Sequence, residues 1–411
     1  MNQYGQLIRN NLEFRKLWVG QIISLLGDWF NLIASASLVA MLTESGFAVG
    51  SLFVIRLLAP FMVSPVAGVV ADHFDRKWIL IICDIIRAVV VLGFLLVRTP
   101  EHVWLLYSLT AFQLAVSGFF YPARTALLPD LVSKKELGAA NALSSSTWSV
   151  MLALGAALGG IVSGFLGIHW AFLIDSATFL LSALVIVRIR APRKPRTGDS
   201  MKTFGDGLGQ YLEGLSYLVS HKEVLVVSLH KAALGMILGL GFDIVQVAAT
   251  EEVFVIGIGG GVALGLLFSV EGGGTGIGPI VARYFTGDKE RNLSLAIVLG
   301  YLLGGLGLAV FAPLFDFYSA LFGMFVRGLG SGMVWVFSTQ LLLMRVPSEV
   351  RGRVFATEFA LYTLAGALGA VMIGTLLDTG LGISGTAWLL AGLTLIPAGL
   401  WLVWIVKAAE R

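Results

Sequence analysis

Residues 68–77 read GVVADHFDRK; the stretch closes one long apolar run, 48–71, and opens onto another, 78–97. A glycine, an aspartate four residues later where the apolar run ends, and two adjacent cations are what a tight hinge between membrane helices needs. Gly68 lets two backbones approach closely. Asp72 suits the positive N-terminal end of a neighbouring helix, and Arg76 and Lys77 hold the turn in the cytoplasm. A charged turn that only fixes topology has the same composition, so its meaning depends on its surroundings.

Those surroundings are a membrane protein. Hydrophobic residues make up 57% of the 411 and charged residues 13%, with a mean hydropathy of +0.88, far from the balance of a soluble domain. A spanning helix takes ~20 apolar residues. The chain offers twelve such runs: 15–41, 48–71, 78–97, 102–122, 138–164, 168–188, 224–247, 258–282, 292–312, 317–344, 353–377 and 384–406. The expected fold class is therefore all-α and integral to the membrane, with twelve transmembrane helices. Fifty glycines suit helices that must pack closely in lipid. The single cysteine, Cys83, lies within an apolar run and excludes an intrachain disulfide or a cysteine-based metal site. The first apolar run is too long for the h-region of a signal peptide and contains Asp28, so it is expected to remain as its own insertion signal.

The 28 Lys and Arg are distributed unevenly. Only Arg98 falls in an outer loop, and Arg56, Arg87, Lys231 and Arg327 fall inside spans; the others lie on the side of the N-terminus. The positive-inside rule then places both termini and residues 189–223 in the cytoplasm, with Glu44, Glu251 and Glu252 outside. The one long connection carries Pro192, Pro195, Gly198 and Gly205 before an amphipathic stretch, GLGQYLEGLSYLVSHKEV. It divides an N-terminal six-helix bundle, 1–190, from a C-terminal one, 224–411, with 191–223 as a basic cytoplasmic linker. Internal similarity agrees: FFYPARTALLPDLVSKKELGAANA answers STQLLLMRVPSEVRGRVFAT, with Pro129 and Pro347 expected in loops. Likewise GVVADHFDRK answers GPIVARYFTGDKER, with Ala282 where Asp72 would stand. Two parallel repeats around a midplane site are a transporter arrangement.

An ionisable group at mid-bilayer costs at least ~2.5 kcal/mol, so each one marks a functional candidate with a partner. Asp28 lies ~20 Å from the cytoplasmic end of its helix, and Arg56 at similar depth in the next is its expected partner. Asp84 and Arg87 share a helix face at i, i+3 and read as structural. Asp175, near the midplane of helix 6, reads equally as a packing acid or a ligand. Glu271 stands within SVEGGGTGIG, where glycines strip away shielding side chains and permit unwinding or close approach. His230 reads as a packing residue, whereas Lys231 and Arg327 make the C-terminal half of the presumed cavity basic. Glu358, one turn into helix 11, is expected to meet Arg76 across the two halves. Asp28 and Glu271 are the candidate proton carriers, Glu271 ranking first because Lys231 and Arg327 lie on helices that can move relative to it. Arg56, Lys231 and Arg327 are the candidate counter-charges or substrate contacts.

The stretch at 68–77 resembles the loop between helices 2 and 3 of the major facilitator superfamily, whose pattern is Gly-x-x-x-Asp-Arg-x-Gly-Arg-Arg. Here His73 replaces the first arginine and Asp75 the second glycine. With the six-plus-six plan and VPSEVRGRVFA at 346–356, nearly the whole chain resembles that superfamily's drug and siderophore exporters, of the macrolide-efflux and enterobactin-exporter type. The resemblance implies two pseudo-symmetric six-helix bundles and alternating access; Asp72 and Arg76 are expected to hold the outward-open state by docking on the start of helix 11, whose positive end lies near Arg353 to Glu358. GAALGG at 155–160 is similar to the antiporter signature Gly-Pro-x-x-Gly-Gly, with Ala156 in the proline position; Gly155, Gly159 and Gly160 fit it, and equally fit a plain close-packing face. Gln113 stands where many drug–proton antiporters carry an arginine.

The expected function is proton-coupled export of small amphipathic, drug-like molecules. A second reading is an exporter or flippase of anionic siderophores or lysolipids, and a reading of another class is a non-transporting receptor or scaffold. The expected partners are a small-molecule substrate, protons and the lipid bilayer, without nucleic acid, cofactor or metal, in a monomer in the bacterial inner membrane. No H-E-x-x-H or G-x-S-x-G occurs, five histidines are scattered, and no P-loop is present, so enzyme chemistry and direct ATP use are not expected.

Overall fold

The computed structural model describes residues 3–133, 136–190, 215–287, 289–347 and 350–409, and among them every regular element is helical. The first set comprises α1 Gln3–Asn10, α2 Leu12–Thr43, α3 Gly46–His73, α4 Arg76–Gly93, α5 Val103–Leu131, α6 Leu137–Ile161 and α7 Ile168–Val187. The second comprises α8 Lys222–Ala233, α9 Leu240–Glu252, α10 Gly261–Thr286, α11 Glu290–Phe311, α12 Phe317–Arg345, α13 Arg351–Leu377, α14 Gly382–Leu393 and α15 Leu395–Ala409. Eleven stretches among the described residues are long and apolar enough to cross a membrane, and Val150–Leu166 adds a shorter apolar helix. They fall on the twelve expected runs. Residues 191–214 of the expected linker lie outside the described residues.

Helix starts follow the polar residues between the apolar runs. Asn11 caps α2 by accepting from the Phe14 N–H at 2.9 Å, and Asp316 closes a capping box with Ser319 at the start of α12. Asp75 accepts from the N–H groups of Lys77 and Trp78 at 3.0 and 3.3 Å. The acid that departs from the family pattern therefore caps α4.

Two helices differ from expectation. The fourth span continues to Leu131, carrying Pro122 and Pro129 inside it, so Pro129 is helical and not in a loop. A proline leaves the ladder one bond short. Near the second, Arg76 Nη1 donates to the Ala126 carbonyl at 2.9 Å, fastening this turn from outside. The seventh span, expected to be continuous, is broken between α8 and α9 by a π-helical turn, Leu234–Leu238, and by Gly239.

Buried apolar side chains gather in three clusters. One is drawn only from residues 7–189, another only from residues 218–401, and the third joins residues 30–179 to Ile244, Val247, Leu264, Phe268 and Ala370. The joining contacts are α3 with α13 and α6 with α10. Both close through glycines at the end of the molecule opposite the termini. A Cβ on Gly160 would stand 2.7 Å from Gly265 Cα, and one on Gly50 2.7 Å from the Ala370 carbonyl oxygen. Side chains there would force the helices apart. Gly155 and Gly159 instead face Trp29 and Phe30 of α2. The glycine motif of the fifth span thus packs α6 against two helices at once.

At this far end, among the described residues, the hydrogen bonds between residues before 190 and residues after 215 end on Asp378. Its carboxylate accepts from the N–H groups of Gly46 at 2.7 Å and Phe47 at 3.1 Å, and from Ser45 Oγ at 3.0 Å. A carboxylate from the end of α13 thus sits on the positive end of α3. Asp378→Ala is expected to loosen this closure by about 1 kcal/mol, a roughly fivefold shift toward separated helices. Maleimide labelling of a cysteine at position 377, in purified Cys83→Ser protein, should accelerate by that factor; an unchanged rate would show that the cap does not hold the end shut.

Candidate functional site

Among the described residues, ionisable side chains inside the spans form two larger groups, one in each half, and a separate pair, Lys231 with Glu358. In the first, Ser24, Asp28 and Asn31 follow the helical repeat of α2, and α4 carries Asp84 and Arg87 one turn apart. Arg87 is 2% exposed and holds the group together. It forms an ion pair with Asp84, donates to Ser24 and Ser117 Oγ at 3.3 Å each, and lies 3.9 Å from Asp28 Oδ2. The rings of Phe120 and Phe179 cover it at 4.6 and 4.1 Å. Edges in hydrogen bonds and faces on aromatic rings offset the desolvation of a buried guanidinium.

The expected Asp28–Arg56 pair is not the one formed. Arg56 Nη1 donates to Asn31 Oδ1 at 3.4 Å, and Asp28 has Arg87 as its partner, with Arg56 acting at longer range. Asp28 keeps 29% of its side chain exposed. Asp175 is fully buried, and neither carboxylate oxygen has a hydrogen-bond partner of normal geometry; Asn31, Asp28, Arg87 and Arg56 are its polar neighbours. Gly27 brings α2 close at this point, since a Cβ there would collide with Thr178 and Asp175.

The second group is built on α9, α10 and α12. Arg327 is fully buried. Its Nη1 lies 2.6 Å from Glu271 Oε2, and its Nη2 lies 3.7 Å from Asp243 Oδ1. Gln246 Nε2 bridges the two acids, donating to Asp243 Oδ1 at 3.3 Å and to Glu271 Oε2 at 3.2 Å. Arg327 also donates to the carbonyls of Leu238 and Gly239 at the α8–α9 break, and packs 4.7 Å from the Phe242 ring. The Gly239 carbonyl also accepts from the Phe242 N–H at 2.8 Å, so the arginine adds a side-chain donor to the backbone bonds at the break. Both acids keep 16% of their side chains exposed while the arginine is sealed.

Around Glu271 the glycine-rich run remains regular helix. Gly274 and Gly278 press against α12 and Gly272 against α6, whereas Gly273 and Gly276 meet nothing within 4 Å. Of the two readings of this run, close approach is the one seen.

Lys231 is not beside Glu271. Its Nζ lies 3.0 Å from Glu358 Oε2, both side chains being buried, and it rests 4.6 Å above the Trp335 ring. The break after Ala233 takes Lys231 out of register with Asp243. Glu358 is therefore occupied within its own half and does not reach Arg76, which pairs with Asp130 at 2.8 Å. The surroundings of Gly68 and the side chains of Asp72, Arg351 and Arg353 lie outside what the structure describes, and with them the expected docking of Asp72 on helix 11. His230 stands 3.3 Å from the Tyr301 hydroxyl and edge-on to Trp401, as a packing residue.

Sequence reading passed over Asp243, Gln246 and Asn31. The rule that singled out Glu271 also covers Asp243, an acid inside the run 224–247 and two residues after Gly241. Each group ends with one carboxylate more than it has guanidinium groups: Asp28, Asp84 and Asp175 against Arg56 and Arg87, and Asp243 and Glu271 against Arg327.

The Major Facilitator Superfamily profile matches residues 17–370. The uncharacterized MFS-type transporter YfiS of Bacillus subtilis (strain 168) is 28% identical, over 96% of this chain and 93% of its own. Macrolide efflux protein A of Streptococcus pyogenes is 23% identical, over 94% and 93%. Among solved structures, a bacterial homolog of the human lysosomal transporter Spinster superposes with a TM-score of 0.72 at 14% identity, over 97% of each chain. The chain belongs to the major facilitator superfamily and is a membrane transporter, not an enzyme.

Proposed function

We propose that the protein exports small amphipathic molecules in exchange for protons, by alternating exposure of a site between residues 1–190 and 224–411. The observation that carries this reading is the cluster at Arg327, where two partly exposed carboxylates share one sealed guanidinium. One positive charge balances one carboxylate, and the other holds an exchangeable proton. Efflux as the direction is supported by the macrolide efflux relative, and cytoplasmic termini by the placement of the cations. Taken with cytoplasmic termini, the glycine contacts of α3 with α13 and of α6 with α10 support a state closed toward the outside. Anionic siderophores or lysolipids are the second substrate class; Lys231 and Arg327, the cations on the C-terminal side that would meet such a substrate, are both engaged by carboxylates.

Purified protein in proteoliposomes tests this. With an imposed pH gradient, ethidium or a macrolide should accumulate against its concentration gradient, and collapsing the pH gradient with an ionophore should abolish the accumulation. Accumulation of a fluorescent lysophospholipid alone would select the second class. Flux indifferent to the pH gradient would end the proton-coupled reading, and no flux of any probe would favour a receptor or scaffold.

A further inference from the structure

At the terminal ends of α2, α4 and α7 lies a cavity of about 600 Å³. Lys16, Lys77, Arg188 and Arg190 line it together with one carboxylate, Glu13. That carboxylate is already engaged: it accepts from Lys16 Nζ at 2.8 and 3.0 Å and from the Arg190 N–H at 2.6 Å. Lys16 also donates to the Arg188 carbonyl at 2.7 Å, which fixes the floor of the cavity. Among the described residues, no carboxylate lies within ion-pair distance of the Lys77, Arg188 or Arg190 side chains. Among the described residues, the cavity therefore presents donors and positive charge in excess of its one carboxylate.

Directly beside it, α4 and α7 pack together and expose apolar side chains at helical spacing. Trp78 and Ile82 are 53% and 52% exposed on α4, and Leu184 and Val187 are 58% and 46% exposed on α7. In a membrane these strips face acyl chains, and the basic cavity sits where they meet the headgroup layer. A cationic recess joined to an apolar strip matches a molecule with a phosphate at one end and hydrocarbon at the other. Guanidinium and ammonium groups bind phosphate oxygens through charge-assisted hydrogen bonds, and basic recesses between spanning helices hold anionic headgroups. We infer that this cavity binds the phosphodiester headgroup of an anionic phospholipid from the adjoining leaflet, with its chains lying along α4 and α7. The site is separate from the ionisable groups inside the spans and does not depend on the transported substrate.

Native mass spectrometry of the full-length protein with phosphatidylglycerol or phosphatidylcholine tests the assignment. Phosphatidylglycerol should be retained, and the double variant Lys77→Gln/Arg190→Gln should retain it about tenfold less. A control pair at the same end, Lys222→Gln/Lys289→Gln, should match the wild type. Acylation of Lys77 in nanodiscs gives a readout that needs no variant: phosphatidylglycerol should protect the amine, whereas inorganic phosphate added to phosphatidylcholine nanodiscs should not. Equal retention by the wild type and the Lys77/Arg190 variant would overturn the site. Protection by inorganic phosphate as strong as that by lipid would make it a site for free anions and overturn the lipid assignment.

Discussion

Glutamine in place of Glu271 is expected to lower pH-gradient-driven accumulation at least tenfold in proteoliposomes while leaving downhill exchange intact. The substitution keeps the side chain's volume and a carbonyl oxygen facing the Gln246 amide, which donates to Glu271 at 3.2 Å in the wild type. It removes only the charge. Asp243 then holds Arg327 alone, one carboxylate against one guanidinium, and the cluster no longer needs a proton to balance it. Binding and conformational exchange survive, but the ion that makes the cycle directional has no carrier. Accumulation retained in Glu271→Gln would pass the role to Asp243 first, because it shares the same arginine, and then to Asp28 or Asp175.

Asp84→Ala should act on the fold more than on transport. Asp84 is fully buried and Arg87 is 2% exposed, so removing the acid leaves a guanidinium in the core with two serine hydroxyls and a carboxylate 3.9 Å away. Breaking a buried pair from one side costs about 3–5 kcal/mol. Thermal unfolding in detergent should show a midpoint lower by about 3–6 °C, with a smaller loss for Asp84→Asn, which keeps an oxygen acceptor. A midpoint unchanged in Asp84→Ala would mean that Arg87 finds another partner at no cost. The same measurement on Asp28→Asn should show little change, since Asp28 is partly exposed and only at the edge of the network.

Depth in the membrane was legible in the sequence, and direction around a helix was not. The spans follow from uninterrupted apolar runs of sufficient length, and each buried charge lies on the helix that its run predicts. Pairing needs the angle as well as the depth. Asp28 and Arg56 share a level, yet Arg87 faces Asp28 and Asn31 faces Arg56. Proline misled in α5 because the sequence shows the missing N–H of Pro129 but not Arg76 coming from another helix to secure the same turn. The break before α9 had a faint signal in Gly235, Gly239 and Gly241, but glycine is common throughout membrane helices, and these three do not stand out among fifty. The glycine motif at 155–160 was read correctly as able to pack closely, while its partners Trp29, Phe30 and Gly265 became known only from the fold.

The guanidinium of Arg327 is one rigid plane; its Nη1 meets the acid at 271 while its Nη2 donates to two carbonyls at the broken turn of the seventh span. A linkage of this kind has few degrees of freedom. Any shift of the guanidinium that follows a change at Glu271 is delivered to Leu238 and Gly239 at the same moment, because a planar group cannot yield on one edge and stay fixed on the other. The bend between α8 and α9 and the charge on α10 are thus two ends of a single stiff crank, and neither turns without the other.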